Sequence, residues 1–162
     1  MANEVSIPHG SLRPSTSAPV VQKPIQPQST PQTAQSPLGH RISHVVDDEP
    51  AVREFLSAIL HLEHFQSVEA EDGAKGLQIV QELGDDVVLI VSDIHMPNGD
   101  GVTFAHAVKA AFPAVPIILV SGCAEPDPEF SFLRKPLPPS ALLNAIRSLV
   151  SDEVMAVLAG DR

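Results

Sequence analysis

The stretch that decides the fold is VVLIVSDIHMPNGDG, residues 87–101. Its first five residues form an unbroken β-branched and leucine run that continues into Ser92, which is typical of a strand buried on both faces of a sheet. The run ends in a lone carboxylate, Asp93, and a glycine-rich turn follows. Functional side chains of α/β sheets gather beyond the carboxyl ends of the strands, so Asp93 is a candidate functional residue if other polar groups reach the same edge.

Outward from this strand, the sequence alternates between two hydrophobic patterns. Strand-like runs lie at 42–46, 65–70, 87–92, 116–120 and 130–133. Apolar residues at helical spacing lie at 50–63, 72–84, 101–112 and 138–150. Strands that alternate with helices predict an α/β domain whose parallel sheet is covered by helices on both faces. We expect this domain to span residues 41–150, with residues 151–162 as an extension of its last helix.

Residues 1–40 differ in composition from the rest of the chain. They hold seven of the 16 prolines and no phenylalanine. Such a segment buries too little apolar surface to offset the entropy lost on ordering, so we predict a disordered, partly polyproline-like tail. Two alternatives remain open: a docking ligand for a proline-binding module, or a start codon assigned upstream of the true one.

The charge of the chain limits its partners. Residues 41–162 contain eight basic and 19 acidic side chains, and such a surface repels phosphate backbones, so nucleic acid is not an expected partner. The single cysteine, Cys123, excludes an intrachain disulfide and a cysteine-rich metal site. We see neither an apolar run of membrane-spanning length nor a secretory signal, so we expect a cytoplasmic protein with no membrane association.

Several polar side chains follow the predicted strands at the points where the strands end. Crowded carboxylates raise each other's pKa unless cations share the site, and one lysine is too little charge for the acids at this edge. A magnesium ion is the natural completion, and such a site can hold a phosphoryl group with an aspartate as nucleophile. The groups in question are Asp47, Asp48, Glu49, Asp93, Ser121 and Lys135.

Four motifs in this order, VVDDEP, VSDIHMPNGDG, ILVSG and FLRKP, resemble the receiver domain of bacterial two-component response regulators. The resemblance covers roughly residues 41–150. It implies a flavodoxin-like, CheY-like fold with a five-stranded parallel sheet of order 2-1-3-4-5. It also implies that Asp93 accepts a phosphoryl group from a histidine kinase or a phosphotransfer protein.

The resemblance implies a magnesium site beside the phosphoacceptor. Asp48 and Asp93 would bind Mg²⁺ directly, together with the backbone carbonyl of His95, and Asp47 would help through water. The side chain of His95 would either overhang the phosphoryl group and tune its hydrolysis, or be an ordinary exposed histidine.

The remaining roles concern the phosphoryl group and the response to it. By the resemblance, Ser121 and Lys135 would contact the phosphoryl group. Phe132 matches the switch aromatic of the family, which turns inward as Ser121 moves, although core packing alone is an equally good interpretation. The bond between Lys135 and Pro136 is expected to be cis, as in the family.

One interval departs from the family pattern. Ser121 and Lys135 are only 14 residues apart, about two helical turns fewer than in the usual receiver. Pro126 and Pro128 oppose a regular helix in this interval. We therefore predict that the fourth helix is missing or vestigial, as in receivers resembling those attached to hybrid histidine kinases. The usual dimer surface must then differ, and we expect a monomer or a weak dimer.

The function predicted from the sequence is a single-domain response regulator that acts on a downstream protein target by direct contact. It would not be an enzyme beyond its own phosphoryl transfer and hydrolysis. The first alternative is a pseudo-receiver, a constitutive interaction module. The second is an aspartate-nucleophile phosphatase of the haloacid dehalogenase type, which requires an acid two residues after the nucleophile, where this chain has His95.

Overall fold

A computed structural model describes residues 41–97, 99–123 and 127–160; the tail predicted at 1–40 lies outside them. The strands are β1 (Ile42–Val46), β2 (Gln66–Ala70), β3 (Val87–Asp93), β4 (His95–Met96), β5 (Gly99–Asp100), β6 (Ile117–Ser121) and β7 (Ser131–Arg134). The helices are α1 (Pro50–Leu62), α2 (Gly73–Leu83), α3 (Gly101–Ala111), α4 (Pro139–Leu149) and α5 (Asp152–Leu158), with a 3-10 turn at Gly84–Asp86. None of these helices is long and apolar enough to cross a membrane.

Five strands form one parallel sheet in the order β2-β1-β3-β6-β7. Counted along the chain, these five strands have the predicted order 2-1-3-4-5, which confirms the predicted fold. The register brings the ends of neighbouring strands level, because Asp93 pairs with Val120, and Ser121 pairs with Arg134. The antiparallel pair of β4 and β5 stands outside this sheet and was not predicted.

The sheet separates two apolar layers. Side chains of β3 alternate between them: Ile90 packs on the face covered by α2 and α3, whereas Leu89 and Val91 pack on the face covered by α1 and α4. All three side chains are fully buried. The unbroken apolar run at 87–91 is therefore part of a central strand, β3, enclosed by helices on both faces.

The connection between β6 and β7 is short. Its described residues, 122–123 and 127–130, contain no helix, in agreement with the prediction that the fourth helix is missing. Phe130 is buried at the edge of the core, and its ring meets the ring of His106 on α3 edge-on, with centroids 5.0 Å apart. In this part of the chain, one aromatic side chain therefore closes the core against α3.

The structure differs from the expectation at the C-terminal end. Val150 leaves the helical conformation, with φ −89° and ψ 130°, and its side chain is buried in the layer under α1 and α4. Ser151 then precedes a separate helix, α5, whose Val154 N–H donates to the Ser151 hydroxyl at 3.4 Å. Residues 152–158 are thus a second helix started by a serine cap, and they do not extend α4.

Candidate functional site

Three charged side chains meet at the carboxyl edge of the sheet. The ammonium group of Lys135 lies 3.0 Å from Oδ2 of Asp47 and 2.9 Å from Oδ1 of Asp93. The two aspartates are only 1% and 6% exposed, and the lysine side chain is 31% exposed. The three groups come from β1, β3 and the end of β7, so the level strand ends bring together what the sequence places far apart.

Burial and charge act in opposite directions on these groups. Burial raises the pKa of Asp93 above its ordinary value, although the hydrogen bond and charge of Lys135 oppose this rise. For Lys135, burial alone would lower the pKa, but hydrogen bonds and charges from Asp93 and Asp47 outweigh it and raise the pKa. The lysine is therefore held as a cation between two carboxylates that water barely reaches.

The main chain around Asp93 fixes the carboxylate from the other side. The N–H of His95 donates to Oδ2 of Asp93 at 3.0 Å. Gly101, the first residue of α3, donates its N–H to the carbonyl of Ile94 at 2.9 Å. A Cβ at position 101 would overlap the main-chain oxygen of Asp93. The start of α3 thus packs directly on the backbone of the candidate phosphoacceptor, with Asp100 as the helix cap that accepts from Val102 N–H at 3.1 Å.

Ser121 lies at the end of β6 beside the acidic cluster and is buried. Its hydroxyl is 3.1 Å from Nδ1 of His95 and accepts a hydrogen bond from the N–H of Cys123 at 3.3 Å. The thiol of Cys123 is 4.0 Å from the same histidine nitrogen. The ring of His95 therefore contacts Ser121.

Two of the residues predicted for the site lie apart from the ion cluster. Asp48 is exposed, and within the described ranges no hydrogen bond or ion pair holds its carboxylate. Phe132 is half-buried and packs against the core layer of α2 and α3, with the guanidinium carbon of Arg134 5.8 Å from its ring centroid. The bond between Lys135 and Pro136 is cis, as expected.

The donor set at this edge has the chemistry that Mg²⁺ prefers. Asp47 and Asp93 present carboxylate oxygens within 3.0 Å of one ammonium group, so the two acids converge on one point. No group of three or more His, Cys, Asp or Glu side chains among the described residues is arranged to hold a metal ion. Mg²⁺ completes its octahedron with waters and backbone oxygens, so two converging carboxylates fit this ion better than a metal that needs an all-side-chain cage.

Sequence reasoning missed Arg53. Its guanidinium Nη1 donates to the main-chain carbonyl of Asp47 at 2.6 Å, and its Nε donates to Glu69 at 3.2 Å. The spacing of Arg53 on α1 gave no sign of this role, because the contact depends on how β2 places Glu69 beside the helix.

Comparison with known proteins identifies the family. The response regulator receiver domain matches residues 44–147. The chain belongs to this family. The sequence resemblance is thereby confirmed. Asp47, Asp93 and Lys135 meet at the strand ends, as the rule for parallel sheets predicted.

Relatives of known sequence include larger proteins. The sensor kinase CckA of Brucella abortus is 32% identical over 117 residues, which cover 67% of this chain and 12% of that protein. The transcriptional regulatory protein GlrR of Escherichia coli is 31% identical over 119 residues, which cover 67% of this chain and 26% of that protein. The chain thus matches about a quarter or less of the length of these relatives.

Solved structures of receiver domains superpose on most of the chain. The receiver domain of the hybrid histidine kinase CckA matches with a TM-score of 0.62 and 27% identity, over 68% of this chain and 99% of that domain. The response regulator TrrA of Thermotoga maritima, solved in complex with Mg²⁺ and BeF, matches with a TM-score of 0.62 and 26% identity, over the same shares. The expected likeness to receivers of hybrid kinases agrees with the first match.

Proposed function

We propose that this chain is a Mg²⁺-dependent phosphoacceptor of a two-component phosphorelay, and that Asp93 receives the phosphoryl group from a histidine kinase or a phosphotransfer protein. The observation that carries the proposal is the buried carboxylate of Asp93, 2.9 Å from the Lys135 ammonium group, with a second buried carboxylate, Asp47, on the same cation. A structural ion pair needs one acid for one lysine, so the second acid supports a site for a further cation.

The proposed reaction is a displacement at phosphorus. A carboxylate oxygen of Asp93 attacks the phosphorus, the bond from phosphorus to the donor histidine nitrogen breaks, and that nitrogen keeps the electron pair and takes up a proton. Lys135 stabilises the charge on the phosphoryl oxygens. Asp48, Asp93 and the backbone carbonyl of His95 would hold a magnesium ion directly, and Asp47 would help through water. When bound, this ion would supply the remaining neutralisation.

The response to phosphorylation would start at Ser121. Its hydroxyl, which contacts His95 in this structure, would turn to the phosphoryl group, and Phe132 would follow it inward. Phosphorylation would shift an equilibrium between two arrangements, and contact with a downstream protein target would report the shift. In this scheme the chain has no enzymatic role beyond its own phosphorylation and hydrolysis. A monomer or weak dimer, a cytoplasmic location and the absence of nucleic-acid and membrane partners stay predictions.

The test is the intact-protein mass after incubation with acetyl phosphate or phosphoramidate, with and without Mg²⁺. We expect the wild type to gain one phosphoryl group only with Mg²⁺, and Asp93→Asn to gain none. Asp85→Asn, an exposed carboxylate in the 3-10 turn after α2, is the matched control and should gain one group like the wild type.

Other outcomes would redirect the proposal. Mg²⁺ binding without any gain in mass would contradict the phosphoacceptor and favour the constitutive interaction module, an alternative consistent with the short connection between β6 and β7. Turnover of a generic phosphate ester that depends on Asp93 would favour the phosphatase.

A further inference from the structure

Asp47 is the residue that follows β1, and its main chain is still hydrogen-bonded to β2. The N–H of Asp47 donates to the carbonyl of Ala70 in β2 at 3.1 Å. The carbonyl of Asp47 accepts instead from the guanidinium group of Arg53, at 2.6 Å. A hydrogen bond from a charged donor at this distance is among the stronger contacts that a main-chain carbonyl makes.

Arg53 is itself held in a fixed orientation by two further side chains. Its Nε donates to Oε2 of Glu69 on β2 at 3.2 Å, and Oε1 of Glu69 accepts from the hydroxyl of Ser57 at 2.8 Å. Ser57 stands one helical turn after Arg53 on α1 and is buried. The side chain of Arg53 is only 15% exposed. The chain of contacts from Ser57 through Glu69 and Arg53 to the Asp47 carbonyl is here called the arginine relay. It joins α1 and β2 to residues 47–49 between β1 and α1, here called the acidic turn.

The acidic turn needs this support because Asp48, its second aspartate, has few side-chain contacts that could fix its position. Asp48 is exposed, and its carboxylate has no hydrogen-bond or ion-pair partner in the described part of the chain. Asp48 shares its peptide plane with the carbonyl of Asp47, so the bond from Arg53 fixes the direction in which the main chain of Asp48 leaves the strand. The carboxylate of Asp47 also holds Glu49, the residue after Asp48, by accepting a hydrogen bond from the Glu49 N–H at 2.9 Å.

We infer that the arginine relay positions Asp47 and Asp48 for Mg²⁺, which makes Arg53 a positioning residue of the phosphoacceptor site. The inference rests on the proposed function, because it assigns a task to residues around the same metal site. Groups that orient metal ligands typically contribute about tenfold or more to metal affinity.

The sign of the change in Mg²⁺ affinity on removal of Arg53 distinguishes a positioning role from a purely electrostatic one. Arg53 carries a positive charge close to the acidic turn, so its removal should by charge alone strengthen the binding of a cation. A positioning role predicts the opposite, a weaker affinity for Mg²⁺. A purely structural role predicts a lower melting temperature with no loss of affinity.

The experiment is calorimetric titration of the full chain with Mg²⁺ in the absence of a phosphodonor, together with phosphorylation by acetyl phosphate over a range of Mg²⁺ concentrations. For Arg53→Met we expect the Mg²⁺ dissociation constant to rise about tenfold. The Mg²⁺ concentration for half-maximal phosphorylation should rise by the same factor, with little change in the rate at saturation. Arg53→Lys keeps the charge but lacks the two-pronged donor, so it should recover only part of the affinity.

The matched control is Arg147→Met. Arg147 also pairs with a carboxylate, because its Nη2 lies 2.6 Å from Oε1 of Glu63, but this pair joins α1 and α4 away from the acidic turn. We expect its Mg²⁺ affinity to equal that of the wild type. If Arg53→Met does not fold, Ser57→Ala carries the test, because it removes the hydroxyl that holds Glu69 without any change in charge, and it should weaken Mg²⁺ binding in the same direction.

The outcomes separate the inference from the proposed function. If the wild type binds Mg²⁺ and is phosphorylated while Arg53→Met and Ser57→Ala bind Mg²⁺ as well as it does or better, the positioning role is overturned and the proposed function stands. A wild type that neither binds Mg²⁺ nor gains a phosphoryl group overturns both.

Discussion

Two segments leave neighbouring strands at the same edge of the sheet, and they are built in different ways. The first, residues 94–101, follows the candidate phosphoacceptor Asp93 at the end of β3, and its described part, 94–97 and 99–101, is fixed by backbone hydrogen bonds. The N–H of Ile94 donates to the carbonyl of Val120 at 3.0 Å, and the N–H of Gly101 donates to the carbonyl of Ile94 at 2.9 Å. The side chains of Ile94 and Met96 are buried.

The second segment, residues 122–130 after β6, depends more on side chains near the surface. In its described part, the imidazole of His106 on α3 lies 3.0 Å from Asp127 and 3.5 Å from Glu129, and Arg134 donates to the carbonyl of Gly122 at 3.2 Å. Exposed contacts of this kind contribute little stability each.

The difference in contacts predicts a rigid segment on one side of the site and a more mobile segment on the other. The carboxylate that would be phosphorylated sits in a backbone frame that leaves no room for a methyl group, whereas the hydroxyl that would respond sits at the root of a lightly held segment. Regions that change conformation are drawn from the less stable parts of a fold.

The largest effect is expected from one methyl group in the first segment. In Gly101→Ala the new Cβ would overlap the main-chain oxygen of Asp93 and lie 2.9 Å from the Cα of Ile94, so the start of α3 must move away from β3. We expect a loss of about 3 kcal/mol in the free energy of unfolding, measured by urea denaturation.

The counterpart in the second segment is Gly122→Ala. The nearest atom to its new Cβ would be the Cβ of Lys135 at 3.9 Å, an ordinary contact. The free energy of unfolding should change by less than about 0.5 kcal/mol. Equal losses at the two glycines would contradict the contrast between the segments.

Removal of the Lys135 ammonium group is expected to lower the free energy of unfolding by less than Gly101→Ala does and by more than Gly122→Ala does. Lys135→Met leaves Asp47 and Asp93 buried without their shared ammonium group, which should cost about 2 kcal/mol at neutral pH without Mg²⁺. Burial already raises the pKa of Asp93, and loss of the lysine raises it further. A raised carboxyl pKa favours the folded state in acid and disfavours it as the pH rises through that pKa.

The measurement is urea denaturation of wild type and variant over a series of pH values with a chelator present. The difference should be largest near neutral pH and should shrink as the pH falls and the carboxyl groups take up protons. Arg134→Met removes the neighbouring, exposed cation and should cost less. A difference that grows in acid would show that Lys135 does not stabilise ionised carboxylates.

The sequence predicted the parts of the molecule that depend on strong local patterns. The β-branched runs located the strands, and the rule for strand ends brought Asp47, Asp93 and Lys135 together before any contact was known. The pair of β4 and β5 was not predicted, because two residues in each strand are too few to show an alternating hydrophobic pattern. The separate helix α5 was not predicted, because Ser151 lies only two residues beyond α4 and the apolar spacing alone indicated one continuous helix. The contact from Arg53 to the Asp47 carbonyl depends on tertiary placement, which no spacing encodes.

The smallest effect on stability, and the most local one, is expected from His106→Gln. Glutamine has no second ring nitrogen, so it cannot keep the imidazole contacts with both Asp127 and Glu129, and the second segment should open more often while the first is unaffected. The pKa of Asp127 is lowered by the Glu129 N–H and by His106. A lowered carboxyl pKa stabilises the fold at neutral pH, and this contribution is lost as the pH falls through the pKa.

The measurement is hydrogen exchange by mass spectrometry, corrected for the intrinsic rate at each pH. Amides of 127–130 should exchange faster in the variant at neutral pH, amides of 94–101 should not, and the difference should vanish in acid. Lys109→Gln, on the same helix at a side chain with no ion pair in the described ranges, is the control. Faster exchange in both segments would mean that they open together, and the division of the site into a fixed side and a moving side would then be wrong.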